Sequence, residues 1–287
     1  MIVVTGATGT LNGATVEHLL DRVPAENIGV SVRDVTKAQH LAEHGIRVRQ
    51  GSYDDPVALR DSFEGAEQVL LVSSSDMSAD VVGQHRAAIE AAVAAGATRI
   101  LYTSQQNPVD TSYPPAAMHA ATEATLAGAA LTNAGVTWTA LRNGFFGDLD
   151  QLLGPWRQTG VIAQPAAGPI PWTDRRDLAE AAAVILAGDR PFDGPVTLAA
   201  PPVTLHDFAA ILTEATGRTI ERVVVDDAQW LAGRIAEGMP EFVAEMTLGM
   251  FRASRNGSYA EPAPLLGDLF GREPRSAAQQ VIDHIAT

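Results

Sequence analysis

Cysteine is absent from the 287 residues, and lysine occurs once, at Lys37. The missing cysteine excludes disulfides, thiolate metal sites and a cysteine nucleophile, and it fits a reducing cytoplasm, the expected location. Positive charge is scarce in general, with 20 Lys and Arg against 34 Asp and Glu and a formal net charge of −14. Such a surface repels phosphate backbones, so no nucleic-acid partner is expected. Long apolar runs are also missing. The most apolar stretch, Ala181 to Ala187, is far too short to span a bilayer, and neither a leader peptide nor a membrane partner is expected.

What is present is alternation. Short β-branched runs at Ile2–Thr5, Gly29–Val32, Ile46–Gln50, Val69–Ser73, Arg99–Thr103 and Thr137–Arg142 read as strands. Between them lie helical patterns at Ala14–Arg22, Lys37–His44, Ala79–Ala95 and Ala116–Asn133. This order predicts an α/β fold, a doubly wound parallel sheet of Rossmann type with its ligand edge at the strands' C-terminal ends. Residues 1–150 form the expected dinucleotide-binding domain. After the Gly- and Pro-rich segment Gly154–Pro171, a helix at Asp177–Ala187 and a strand at Val196–Ala199 are expected to rejoin the sheet, so that 174–200 belongs with it. Residues 201–287, mostly helical with one strand at Ile220–Val225, are expected to form a smaller substrate-facing cap together with loop 151–173.

The first strand runs into TGATGTLNG, Thr5–Gly13. Glycine lets backbone approach a pyrophosphate closely, and the following helix N-terminus offers free N–H groups and partial positive charge. Gly6, Thr8, Gly9, Thr10, Leu11 and Asn12 are therefore candidate cofactor ligands. Asn12 stands where a third glycine is usual. Either Gly13 takes over the close helix–strand approach, or the helix sits further out, or the Asn12 amide donates to a phosphate oxygen. The second strand ends in Arg33-Asp34 with Lys37 four residues after Arg33. A carboxylate there would suit the ribose hydroxyl of NAD, and a cation the 2′-phosphate of NADP; Arg33 and Lys37 favour NADP(H).

TGATG, VSVRD, GSYDDP, LLVSSSD, QHRAAIEAAVAAGATRILYTS, HAATEATL and LRNG together resemble the NmrA-like atypical short-chain dehydrogenases, in particular the type 2 NAD(P)H:quinone oxidoreductase group. The likeness extends over nearly the whole chain. It departs at Asn12, and at Ser52, where the family more often has aspartate. The resemblance implies a reductase passing hydride from NADPH to a quinone or similar conjugated small molecule. The same family includes non-catalytic NADP sensors, and a biosynthetic ketone or imine reductase is a third reading. A homodimer stays open.

The Tyr-x-x-x-Lys pair of ordinary short-chain dehydrogenases cannot exist here, because no tyrosine precedes Lys37 by four residues. At the helix after the fifth strand stand His119 and Glu123, four apart on one face, a weak proton donor and its orienting carboxylate or else a plain polar pair. Strand ends supply the remaining candidates: Ser73, Ser74, Ser75 and Thr103 for the cofactor, Ser104 and Asn143 for chemistry, and Gln105 for the acceptor. Phe145, Phe146, Trp156 and Trp172 offer either an aromatic wall for a flat substrate or core packing. His40-Leu-Ala-Glu43-His44 matches an inverted zinc motif, but in this architecture it falls at the sheet edge opposite the ligand, so no metal is expected.

Overall fold

The computed structural model describes residues 1–74, 76, 79–109, 113–261 and 263–286. Contacts divide the chain into two units. The first comprises Met1–Gln105, Met118–Asn143 and Arg176–Thr197; the second comprises Gln106–Ala117, Gly144–Arg175 and Leu198–Thr287.

The first half alternates β1 (Ile2–Thr5), α1 (Thr10–Leu20), β2 (Ile28–Val32), α2 (Gln39–Glu43), β3 (Arg47–Gln50), α3 (Pro56–Ser62), β4 (Gln68–Leu71), α4 (Val81–Ala94) and β5 (Arg99–Gln105). It continues with α5 (Pro114–Leu126), α6 (Ala129–Ala134) and β6 (Thr137–Asn143). Then follow α7 (Leu149–Leu153), α8 (Trp156–Thr159), β7 (Val161–Gln164), α9 (Arg175–Ala187) and β8 (Gly194–Leu198). The chain ends with α10 (Leu205–Thr216), β9 (Glu221–Val224), α11 (Asp227–Ala236), α12 (Glu241–Arg255), α13 (Leu265–Phe270) and α14 (Ala277–Ile285).

The first unit is built on a seven-stranded sheet of order β3-β2-β1-β4-β5-β6-β8. Strands β1 to β6 pair in parallel throughout. Their buried, β-branched sequences are those of strands covered on both faces; IVVT of β1 and IGVSV of β2 are buried at every position. Strand order reverses between β1 and β4, which sets the ligand crevice of such sheets at their C-terminal ends. One face carries Val3, Val69, Leu71, Ile100 and Tyr102 against Leu59, Phe63, Ala88 and Ile89 of the α3–α4 layer.

Three local features differ from the sequence expectation. Helix α3 is additional, although its start is signalled: Asp55 caps the Ala58 N–H and Pro56 fills the first turn. The expected helix Ala116–Asn133 is broken into α5 and α6 at Gly128, whose extended backbone cannot continue a helix. The Gly- and Pro-rich segment contains α8 and β7, and β7 pairs in parallel with β9. The second unit is otherwise mainly helical, around a core of Leu152, Trp156, Trp172, Phe208, Trp230, Leu248 and Phe251. Among the described residues no helix is long and apolar enough to cross a membrane.

Candidate functional site

A cavity of about 430 Å³ opens at the C-terminal ends of β1, β2 and β4. Its lining comes from four loops: Thr5, Gly6, Thr8 and Gly9; Ser31, Val32 and Arg33; Gly51, Ser52, Tyr53 and Asp54; and Val72, Ser73, Ser74 and Asp76, with Gln84 of α4.

The glycine turn is shaped by two close approaches. Gly6 has φ +65°, and a Cβ there would lie 2.6 Å from Val72 Cγ1, so the loop packs on the end of β4 only because no side chain intervenes. Gly9 caps α1 in extended conformation with no side-chain acceptor, and the first turn holds no acidic residue. The N–H groups of that turn, Thr10, Leu11 and Asn12, have no intrahelical acceptor and are available to an anion. Helix α1 therefore starts four residues before its expected position, directly at the turn.

Asn12 does something other than reach a phosphate. Its side chain is buried, and Nδ2 donates to the Thr5 carbonyl at 2.8 Å, tying the first turn of α1 back to the last residue of β1. Gly13 takes the close approach: a Cβ there would meet the Ala7 carbonyl oxygen at 3.0 Å. Asn12→Gly is expected to lower stability by about 1–2 kcal/mol, from one buried hydrogen bond and added backbone freedom in a helix. Its effect on dinucleotide affinity should stay within about tenfold, roughly 1.4 kcal/mol. Urea unfolding and a binding titration on one preparation check both.

At the end of β2 the exposed Arg33 lines the cavity. Asp34 beside it is committed elsewhere, since its carboxylate accepts the hydroxyl and N–H of Thr36 at 2.6 and 3.0 Å and caps a short 3-10 turn. Those bonds, with Lys37 nearby, hold the Asp34 carboxyl below the usual carboxylate range. Lys37 sits in that turn, exposed, and is not among the lining residues. A cation faces the cavity where a ribose-binding carboxylate would otherwise stand.

The cavity wall beyond β4 is irregular backbone held by side chains. Val72 N–H donates to Thr5 Oγ1, Ser73 N–H to Thr103 Oγ1 and Ser74 N–H to His85 Nε2, each at 2.8 Å. Tyr53, on the β3–α3 loop, donates to the Val72 carbonyl and meets Thr5 Oγ1, both at 2.8 Å. Burial pushes the Tyr53 phenol well above its ordinary value, so it serves as a neutral donor. Gln84 gives Nε2 to Asp54 Oδ1 at 2.8 Å and keeps a buried Oε1 without a hydrogen-bond partner. Ser75 lies outside the described residues.

The expected pairing of His119 with Glu123 is replaced by two separate networks. Glu123, buried, accepts Ser104 Oγ at 2.7 Å and a bidentate Arg142 guanidinium at 3.0 and 2.6 Å. His119 Nδ1 instead meets the Tyr102 hydroxyl at 2.9 Å. Burial lowers the His119 pKa to about 4, so at neutral pH it is an uncharged imidazole and no imidazolium acid. The same burial raises the Tyr102 phenol out of its ordinary range. Asn143, also buried, stands opposite Gln105 in the β5–β6 register, and Gln105 Nε2 is buried without a hydrogen-bond partner.

The four aromatic candidates belong to the second unit and divide. Trp156 and Trp172 are core residues, and the Trp156 indole N–H is spent on Asp150 Oδ1 at 3.0 Å. Phe145 bridges to Trp172 and stacks edge-on with Tyr113 and Tyr259, at 5.4 and 4.8 Å between centroids. Phe146 is exposed, with the Arg175 guanidinium 5.4 Å from its ring centre. Sequence reasoning passed over His85, Tyr102, Tyr53 and Arg142, because each acts through a partner from a distant element. Only Tyr53, just after β3, and Arg142, near the end of β6, stood close to strand ends; His85 on α4 and Tyr102 inside β5 carried no such signal.

A profile of the NmrA-like family matches residues 1–281. The chain belongs to that family. Within it, the chain is 34% identical over 285 residues to quinone oxidoreductase 2 of Escherichia coli strain K12, covering 98% of this chain and 97% of that protein. A solved structure of the NADPH-dependent quinone oxidoreductase of Escherichia coli, complexed with NADPH, superposes with a TM-score of 0.91 at 32% identity over all of both chains. The triphenylmethane reductase of Citrobacter sp., complexed with NADP(H), gives 0.89 at 30% identity over 99% of this chain and all of that one.

Proposed function

We propose that this NmrA-like chain is an NADPH-dependent oxidoreductase whose acceptor is a quinone or a similar conjugated small molecule. The observation that carries the cofactor is Arg33, the cation on the cavity lining, beside a carboxylate already spent on its own turn. The residues fit the dinucleotide. The Gly6–Gly9 turn and the open first turn of α1 would take the pyrophosphate, and Arg33 the 2′-phosphate. Bound there, the reduced nicotinamide would supply a hydride. The complexes of the two structural relatives with NADPH and NADP(H) support the same reading.

The acceptor class follows from what the chain does not offer. A ketone taking hydride becomes a strongly basic alkoxide that needs a proton from the protein. A quinone becomes a hydroquinone anion whose charge the ring stabilises and which water can protonate. No tyrosine is spaced for the sole lysine, and His119 is uncharged at neutral pH. Positioning is therefore the chain's contribution, and quinone-like acceptors suit it.

Purified protein mixed with NADPH and a panel of quinones should show acceptor-dependent loss of reduced-nicotinamide absorbance; no loss across a broad panel would overturn the proposal. Arg33→Ser should raise the NADPH KM by about 10- to 100-fold, the value of roughly 1.5–3 kcal/mol for a hydrogen-bonded charge pair, and leave NADH within about threefold. Equal weakening toward both dinucleotides would remove Arg33 from the 2′-phosphate.

A further inference from the structure

Strand β4 ends at Leu71, and the cavity wall begins one residue later. From Val72 on, the backbone leaves the sheet, and its N–H groups lose the carbonyl partners a strand would provide. Three successive N–H groups are recovered by three side chains: Thr5 for Val72, Thr103 for Ser73 and His85 for Ser74. Two of these acceptors are threonines of the flanking strands, Thr5 at the end of β1 and Thr103 two residues before the end of β5. The third comes from outside the sheet, from α4, and it holds the last of the three residues.

His85 is 2% exposed, and its hydrogen bonds define its tautomer. Nδ1 lies 2.8 Å from Thr122 Oγ1, while the Thr122 hydroxyl donates its own proton to the Met118 carbonyl at 2.9 Å. The Thr122 oxygen therefore accepts from His85, and the proton resides on Nδ1. Nε2 is left with a lone pair, the acceptor that the Ser74 N–H requires. The rings of Tyr53 and Tyr102 pack edge-on against the imidazole, with centroids 6.2 and 5.2 Å away, and the Tyr102 hydroxyl lies 3.4 Å from Nδ1. Burial and the neighbouring His119 keep the ring uncharged, its pKa lowered to about 4.

We propose that His85 is a positioning residue for dinucleotide binding: its Nε2 lone pair holds the Ser74 backbone, and with it the β4 wall of the cavity, in the conformation that receives the cofactor. This rests on the dinucleotide reading of the cavity given above. Without that acceptor the Ser74 N–H is left unpaired, and the segment is released to seek water. The wall must then be reordered each time the ligand binds, so the loss is read in affinity.

Two polar substitutions separate the idea from a general packing role. In His85→Gln the amide oxygen reaches the place of Nε2 and can accept from Ser74. In His85→Asn the shorter side chain reaches only the place of Nδ1 and cannot. NADPH titration by fluorescence should show a Kd raised about tenfold or more in H85N and brought back to within about threefold of the parent in H85Q. H85N binding within twofold of the parent, or H85Q as weak as H85N, would overturn the proposal. A packing role would lower both melting temperatures and leave the two affinities alike. Should H85N fail to fold, long-range 15N spectra of the parent protein decide: a proton on Nδ1 of His85 is expected, and a proton on Nε2 rules the arrangement out. If the parent protein itself binds no NADPH, it is the cofactor reading that fails.

Discussion

Glu123→Ala is expected to remove about 3 kcal/mol of folding free energy, the lower part of the range for breaking a buried ion pair. The carboxylate is 9% exposed and receives three donors, two of them from the Arg142 guanidinium. Alanine would leave that guanidinium, 26% exposed, without its counter-charge, and would orphan the buried Ser104 hydroxyl. Partial access of Arg142 to water keeps the loss below that of a fully buried pair. Glu123→Gln retains an acceptor for Ser104 and should cost about half as much. The double variant Glu123→Leu with Arg142→Met should lie within about 2 kcal/mol of the parent, because the cost of one unpaired charge disappears when both charges go and only the Ser104 hydroxyl is left without its acceptor. Urea unfolding measures all three. A single-variant loss under about 1 kcal/mol, or a double variant as unstable as the sum of two single ones, would show that the pair does not lock β5, α5 and β6 together.

Acid should destabilise the protein well before its carboxylates titrate. Both His85 and His119 ordinarily titrate near 6.5, and burial lowers each to about 4 in the folded chain. Above pH 6.5 both are neutral folded or unfolded, and neither affects stability. As pH falls through 6.5 the unfolded chain takes up two protons that the folded chain refuses, so stability declines until pH approaches 4 and then levels. At 1.36 kcal/mol per unit for each group, the pair should cost about 3 kcal/mol between pH 7.5 and about 5.3. The phenols facing them, Tyr102 and Tyr53, both have raised values and do not titrate in that window to offset the loss. Urea unfolding across this range should show the decline, and a His85→Gln/His119→Gln variant should flatten it. A parent protein equally stable at both ends would mean that the two rings are not held neutral by the fold.

Much of the site could be read without coordinates. Gly6 and Gly9 directly after a buried strand pointed to the turn that lines the cavity, and Arg33 at the next strand's end pointed to the cavity's cation. Both signals are local, because a strand's end and the following turn are set by neighbouring residues. Lys37 carried the same local signal but is not among the residues lining the cavity, because it stands four residues on in a 3-10 turn closed by Asp34 and Thr36.

The succession of the first six strands, the parallel sheet, the turn at Gly6–Gly9 and the absence of a Tyr-x-x-x-Lys motif were determined by the sequence alone, since each depends on periodicity or spacing along the chain. Tertiary structure alone decided what the polar side chains do. Asn12 ties α1 to β1, Glu123 takes Arg142 in place of His119, and His85 holds Ser74, across separations from 7 to 19 residues. Helical spacing had put Glu123 and His119 on one face. A buried polar group, however, takes the partner that best repays its lost hydration, and which partner is near is known only once the strands have paired.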